Sequence, residues 1–406
     1  MMRISEPKTV NTGSVVNHLG YKALRKIFAD IHDIEDRLKQ GETFDFPYLI
    51  RGEMSDGHRQ GLKPITFLRQ VTSLCTYPAM SDHMPEDVVE RTMEILEHCP
   101  KGSVGSVIVR GNPVIRQHIA DYISQRDLVE TSTENIWITG GVLPGVSMVL
   151  DVLKRRPSAM PPGIITCVPQ YMGYATLLED QGFCVIFEFN VYTTNHPFHS
   201  VRKVMNSMGA PYSGTQLVTF NSISKGFTAE VGLQAGYFEA ININRVDQAN
   251  LEHATMEYLP PMLSQVALDC MIKPPRPGGA SYELYTKEKS LILDSLAERA
   301  RLAEERLNAI DGIHCSRVQG SMAAYPRVTI PVRAIEEAER REMEADVFYA
   351  EELLRRKGVS VTPSSAFGRL PGKFHMRIVI LPPKNQLLEL FDRLESFQKE
   401  LMAEYS

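Results

Sequence analysis

The segment Val218-Thr-Phe-Asn-Ser222-Ile-Ser224-Lys225-Gly226-Phe227 joins an apolar run to two hydroxyls, a lysine and a glycine. A lysine at a strand end, against apolar walls, has its ammonium form disfavoured, and the neutral amine adds to aldehydes. Hydroxyls just upstream are well placed to donate to a phosphate. On composition alone, a solvated loop lysine is the simpler reading of a single such residue. Ser222 and Lys225 also match the S-x-x-K of serine acyl enzymes. The K-T-G and S-D-N partners of that chemistry occur nowhere in the chain. His196 and His199 have a metal-like spacing, but no third ligand follows at a recognisable interval and there is no H-E-x-x-H string. Gly102-x-x-Gly105 is a weak phosphate-loop pattern without a Walker-type lysine after it.

The elements that must hold these residues follow from periodicity. Residues 21–39 carry Leu24, Ile27, Phe28, Ile31, Ile34 and Leu38 at helical spacing. Residues 85–98 and 113–125 repeat that pattern, the first ending before Pro100. Short apolar runs fill the middle: 135–139, 163–168, 183–189, 216–220 and 236–243. Several are bounded by Gly or Pro, and such runs alternating with helices predict a sheet covered on both faces. A long charged helix is expected over 282–310, with Leu293, Leu296, Ala300, Ala303, Leu307 and Ile310 forming one narrow stripe. Strand-like stretches 322–331 and 374–381 then alternate with helical stretches 333–357 and 385–404, the pattern of a small α+β domain. The class is α/β. Two domains are expected, the small one attached by the long helix.

Composition narrows the function classes. The chain has 406 residues and a formal charge of −5, so there is no basic excess for a nucleic-acid surface. Apolar residues make up 43%, which suits a globular core. The most apolar stretch, 142–153, is broken by Pro144, Gly145, Ser147 and Asp151 and falls short of the ~20 residues of a spanning helix. The N-terminal residues have no apolar h-region, and the six cysteines are scattered with no C-x-x-C pair. A cytoplasmic protein with neither membrane nor nucleic-acid partners is expected.

Extending the lysine segment brings out a likeness. FNSISKGFTAEVGLQAGYFEAIN (220–242) resembles the pyridoxal-phosphate lysine segment of alanine aminotransferases, a branch of the class I aminotransferases. KPITFLRQV (63–71), VPQYMGY (168–174), GAPYSG (209–214), VQGSMAAYPRV (318–328) and FHMRIVILPP (374–383) resemble further segments of that family in the same order. The likeness implies a fold type I transferase, normally paired as a homodimer: residues 1–80 as an N-terminal arm and part of a small α+β domain, 81–281 as a large mixed-sheet domain, internally shortened, and 282–406 as the linking helix and the rest of the small domain. It implies pyridoxal 5'-phosphate as cofactor, and an L-amino acid and a 2-oxo acid as substrates. Lys225 then matches the lysine that joins the cofactor aldehyde and later moves a proton. Ser222 and Gly141 match phosphate-binding positions, and Tyr171 the aromatic stacked on the pyridine ring. Arg377 matches the arginine that grips the substrate α-carboxylate.

This sequence also departs from the pattern. The family's phosphate-neutralising arginine falls on Gln234, and its Gly-Ala-Ser turn reads Gly141-Val142-Leu143 before Pro144. Its Gly-Ala-Tyr-Ser segment reads Gly105-Ser106-Val107-Ile108, without the tyrosine. The N-P-x-N-P-T-G loop and the D-E-x-Y strand end expected between Tyr174 and Phe198 are missing, a block of roughly two βαβ units. That block carries the family's asparagine on the cofactor's ring oxygen and aspartate on the ring nitrogen. Glu188 is the carboxylate left in that region. Each change weakens the hold on a group carrying about −1.5 to −2 charges or on its ring. Two readings stand: an alanine transaminase of impaired activity, or a non-catalytic homologue serving as dimer partner or regulator, with itself or a related chain.

Overall fold

The computed structural model describes residues 19–154, 198–367 and 372–406. In chain order the first part runs α1 (Leu19–Lys39), β1 (Ile50–Arg51), α2 (Thr66–Thr76), α3 (Glu86–Glu97), α4 (Pro113–Asp127), β2 (Ile136–Thr139) and α5 (Val142–Lys154). Then follow α6 (Val201–Met208), β3 (Leu217–Ser222), β4 (Gly236–Ile241), α7 (Arg245–Ala254), α8 (Met262–Ile272) and α9 (Tyr282–Asn308). The last part holds β5 (Ile313–His314), β6 (Ala323–Ala324), β7 (Arg327–Val328), α10 (Val332–Arg340) and α11 (Ala345–Lys357). It closes with β8 (Val359–Ser360), β9 (Thr362–Pro363), β10 (Phe374–Val379) and α12 (Lys384–Glu404). No described helix is long and apolar enough to cross a membrane.

Strands β2, β4 and β3 form one sheet, with β4 central and antiparallel to both neighbours. Side chains alternate across it as the pleat requires. Ile136, Ile138 and Tyr237 enter a core with α2, α3, α4 and α8. Trp137, Phe238 and Ala240 enter a second cluster with α5 and α7. Trp137 and Phe238 are direct cross-strand partners, and their rings stack with centroids 5.1 Å apart. Both faces are therefore covered, as the apolar runs predict. The runs at 163–168 and 183–189 lie outside the described residues.

A separate core holds the C-terminal elements. β10 pairs antiparallel with β6, β7 and β9, and α11 and α12 pack over this sheet. Ile27, Ile31, Ile34, Phe46 and Ile50 join that core, so the N-terminal helix packs with the C-terminal unit. Helix α2, close behind in sequence, packs into the other core through Phe67, Leu68, Val71 and Leu74. Phe28, counted in the α1 stripe, faces outward. The stretch expected as one helix over 333–357 is two helices, α10 and α11, separated at Arg341–Glu344. Helix α9 joins the two cores: Ile292 and Leu296 belong to one, and Ala300, Ala303 and Leu307 to the other.

Gly236 opens β4 where three backbones converge. A β-carbon there would lie 2.6 Å from the Asn221 carbonyl oxygen and 3.1 Å from the Gly141 carbonyl carbon. Gly236→Ala should therefore destabilise the protein by ~1–3 kcal/mol, the usual scale of overpacking. Gly232→Ala is the control, because its β-carbon would meet nothing within 4 Å. Urea unfolding of both variants reads the difference, and equal midpoints would refute the convergence of backbones at Gly236.

Candidate functional site

Gly236 pairs with Thr139 on one side and with Ser222 on the other. The C-terminal ends of β2 and β3 thus meet the start of β4 at one sheet edge, which gathers Gly140–Gly141, Ser222–Lys225 and Gln234. The Thr139 hydroxyl donates to the Gly141 carbonyl at 2.7 Å, fixing the turn into α5. At the start of α5 the N–H groups of Val142 and Leu143 lack helical partners, as first-turn amides must. Pro144 has no N–H, and Gly145 donates to the Gly141 carbonyl at 3.4 Å. Leu143 projects an exposed apolar side chain from this turn. Gln234 is exposed and sits in the left-handed region, φ 47° and ψ 54°.

Beyond β3 the chain turns tightly. Asn221 accepts from the Ser222 N–H at 2.7 Å, and the Ser222 hydroxyl oxygen accepts from Ser224 N–H at 3.4 Å. An accepted bond leaves the Ser222 O–H able to donate. The returning loop is pinned by Glu230, buried under Arg69 of α2 at 2.8 Å and His58 at 3.3 Å.

Lys225 is half-buried, and its ammonium donates to the Ser55 carbonyl at 3.0 Å and the Ser55 hydroxyl at 2.9 Å. Burial lowers its pKa to about 8; the positive charge of Arg377 adds to the shift and Asp56 opposes it. Arg377 is on β10, paired opposite Thr362. Its guanidinium donates to the Glu53 carbonyl at 2.9 Å and the Thr362 hydroxyl at 3.2 Å, and lies over the Phe367 ring at 5.1 Å. Beside it Tyr325 stacks on His375 with centroids 5.1 Å apart, and burial, with Asp346, pushes the phenol up to about 12. Residues 53–56 thus contact both cations, one beyond the end of β3 and one on β10.

Of the five residues to which the family likeness assigns site roles, the structure brings together four: Gly141, Ser222 and Lys225 at the strand ends, and Arg377 through residues 53–56. Tyr171, Glu188 and His196 lie outside the described residues. Among the described residues no group of histidines, cysteines and carboxylates is placed to hold a metal. Sequence reasoning missed Ser55 and Asp56, whose one signal was the Asp-Gly turn at 56–57 between β1 and α2. It also missed Thr362 and Phe367, which reach Arg377 through strand pairing.

Sequence comparison decides the relationship. The chain is 33% identical to alanine aminotransferase 2 of Xenopus laevis over 450 residues, covering 92% of this chain and 83% of that protein. It is 31% identical to human alanine aminotransferase 1, covering 92% and 91%.

The chain belongs to the alanine aminotransferase family.

Each alignment spans 450 positions against 92% of a 406-residue chain, so several tens of positions have no counterpart here. Among solved structures, alanine aminotransferase from Pyrococcus furiosus matches with a TM-score of 0.65 at 18% identity, over 93% of this chain and 97% of that one. An aminotransferase from Escherichia coli matches with a TM-score of 0.68 at 14% identity, over 97% and 99%. These likenesses establish a fold type I aminotransferase architecture. No protein-family model matches the chain.

Pyridoxal phosphate is the cofactor this fold implies. The described residues fit its aldehyde end: a half-buried amine with a lowered pKa stands at the strand edge. At the phosphate end they offer amide donors of α5 and a hydroxyl, while Gln234 brings no charge.

The depressed pKa of Lys225 carries a stability consequence. Below about pH 8 the amine is protonated both folded and unfolded, and the folded state bears the cost of the buried charge. Between about 8 and the ordinary 10.5, the unfolded chain holds a proton that the folded chain has released, so stability rises with pH. Lys225→Met should stabilise the protein by about 3 kcal/mol at pH 7, falling below about 1 kcal/mol at pH 10. Urea unfolding at the two pH values checks this; an identical difference at both would refute a shifted amine.

Proposed function

We propose that the protein exchanges an amino group between L-alanine and 2-oxoglutarate, giving pyruvate and L-glutamate, with activity below that of its intact relatives. The observation that carries this reading is the joint anchoring of Lys225 and Arg377 by residues 53–56. One residue offers an amine for an aldehyde, and the other a planar fork for a carboxylate. When bound, pyridoxal phosphate supplies the aldehyde and an electron-withdrawing ring. Lys225 would hold the aldehyde carbon and carry the proton, and Arg377 would orient the amino acid through its α-carboxylate. Val142 and Leu143 N–H and the Ser222 hydroxyl would face the phosphate, with Tyr171 against the ring.

Reduced activity is supported by Gln234, by Leu143 and Pro144 in the phosphate turn, and by the positions missing from the alignments. The same observations support the second reading, a non-catalytic homologue acting as a dimer partner or regulator of an intact relative. A cytoplasmic site of action agrees with the thiols. Cys75, Cys99, Cys270 and Cys315 are free and buried, and burial pushes Cys75 up to about 12 and Cys315 to about 11.

Gln234→Arg tests the charge deficit. The new residue keeps the β-carbon that the left-handed backbone already tolerates, so the strain is unchanged. Pyridoxal phosphate should bind more tightly by ~1.5–3 kcal/mol, the worth of a hydrogen bond to a charged group. The single-turnover rate of amino transfer from alanine should stay near its starting value, because uniform binding does not raise turnover. Unchanged affinity would show that the cradle is lost elsewhere. A wild-type rate far above that of free cofactor would refute impairment.

A further inference from the structure

Residues 52–57 form a strap between the two cores. Its backbone is tied independently of its side chains: Val379 N–H donates to the Gly52 carbonyl at 2.7 Å, and the Gln60 amide donates to the Arg51 carbonyl at 2.8 Å. Gly57 lies so close to the lysine loop that a β-carbon on it would sit 2.6 Å from that of Ala229. Glu53 is buried, held by Arg51 at 2.6 Å and by the Ser360 hydroxyl. Its own carbonyl accepts from Arg377 at 2.9 Å. Ser55 therefore arrives at Lys225 on a rigid frame, and its carbonyl and hydroxyl both accept from the ammonium, at 3.0 and 2.9 Å.

We propose that Ser55 is a positioning residue for Lys225, its hydroxyl stabilising the ammonium form and so setting the pH at which the amine becomes nucleophilic. The inference deepens the aminotransferase reading and rests on it for its biological meaning. An amine must be neutral to attack a carbonyl carbon; its nitrogen lone pair forms the C–N bond and the carbonyl oxygen leaves as water. Hydrogen bonds to the charged form favour that form, so each acceptor on the ammonium delays the release of its proton. The charged groups that bear on this nitrogen are Arg377 from β10 and Asp56 from the strap, acting in opposite senses. Neither bears on the hydroxyl's contribution, which a substitution at Ser55 isolates. The backbone carbonyl stays in every variant, so one acceptor of two is removed.

The test uses formaldehyde with cyanoborohydride, which methylates neutral amines, and follows the Lys225 peptide by mass spectrometry across pH. In Ser55→Ala the midpoint of the rate profile should fall by about one pH unit, giving several-fold faster labelling at pH 7. Ser55→Thr keeps the hydroxyl and should restore the wild-type midpoint. Thermal unfolding of both variants should match wild type, as the tied strap requires. A Ser55→Ala profile that superimposes on wild type, or a Ser55→Thr profile shifted as far as the alanine variant, would overturn the assignment. Pyridoxal phosphate is incubated in parallel and trapped by borohydride. Failure of Lys225 to take it up would overturn the cofactor reading while leaving the formaldehyde shift, and with it the role of Ser55, in force.

Discussion

Strand β10 carries residues of both cores on a single backbone, because successive side chains leave a strand on opposite faces. Met376 and Ile378 fill the C-terminal core while Val379 fills the other, and just past the strand end Ile380 and Leu381 continue the same alternation. Arg377 shares the face of Val379 and Leu381, and that alone turns its guanidinium toward the strap and Lys225. A slip of one residue would exchange every one of these side chains and bury the guanidinium among aliphatic groups. Pairing against three partner strands holds the register, with Phe374 opposite Val328, Arg377 opposite Thr362 and Ile378 opposite Ala324. The site therefore exists because a hydrophobic alternation leaves one position free for a charge.

Two cations brought close must be reconciled electrostatically. Both are held by backbone carbonyls and hydroxyls, at Glu53, Thr362 and Ser55. Such dipoles solvate a cation without cancelling its charge, so the repulsion between the two side chains persists. Arginine does not release its proton in proteins, so the lysine is the one that yields. The lowered pKa of Lys225 is thus a property of the arrangement: burial acts first, and the fixed guanidinium adds to it.

Local patterns in the sequence reported the elements well and their long-range partners poorly. Helices α4, α9 and α12 lie within a few residues of their expected bounds, because 3.6-residue periodicity and flanking prolines are local signals. Strand β10 was read as a strand, yet which face would carry Arg377 depended on two cores that no single segment encodes. Lys225, Ser222 and Gly141 stand out in sequence because they form a contiguous or turn-bound pattern within segments that resemble the family. Ser55 was not, since its role comes from strap geometry: 170 residues separate it from Lys225 in the chain. The division of α10 from α11 was missed because the polar run from Glu336 to Arg341 continues helical spacing up to the break.

The two ends of the proposed cofactor site offer different chemistry, and the energetics of each decide what binding would rest on. A phosphate carries about −1.5 to −2 charges, and a helix N-terminus offers the equivalent of roughly half a positive charge. With Pro144 lacking an N–H and Gln234 uncharged, the turn at Gly141–Pro144 would leave most of a bound phosphate's charge to solvent counterions. A covalent bond to Lys225 does not depend on the phosphate. On the proposed reading, occupancy would rest on how readily the Lys225 amine sheds its proton in its surroundings, more than on the phosphate turn. Those surroundings are burial, Arg377, Asp56 and Ser55. On that reading, the surroundings of Lys225 rather than the phosphate turn would set how readily the cofactor is taken up.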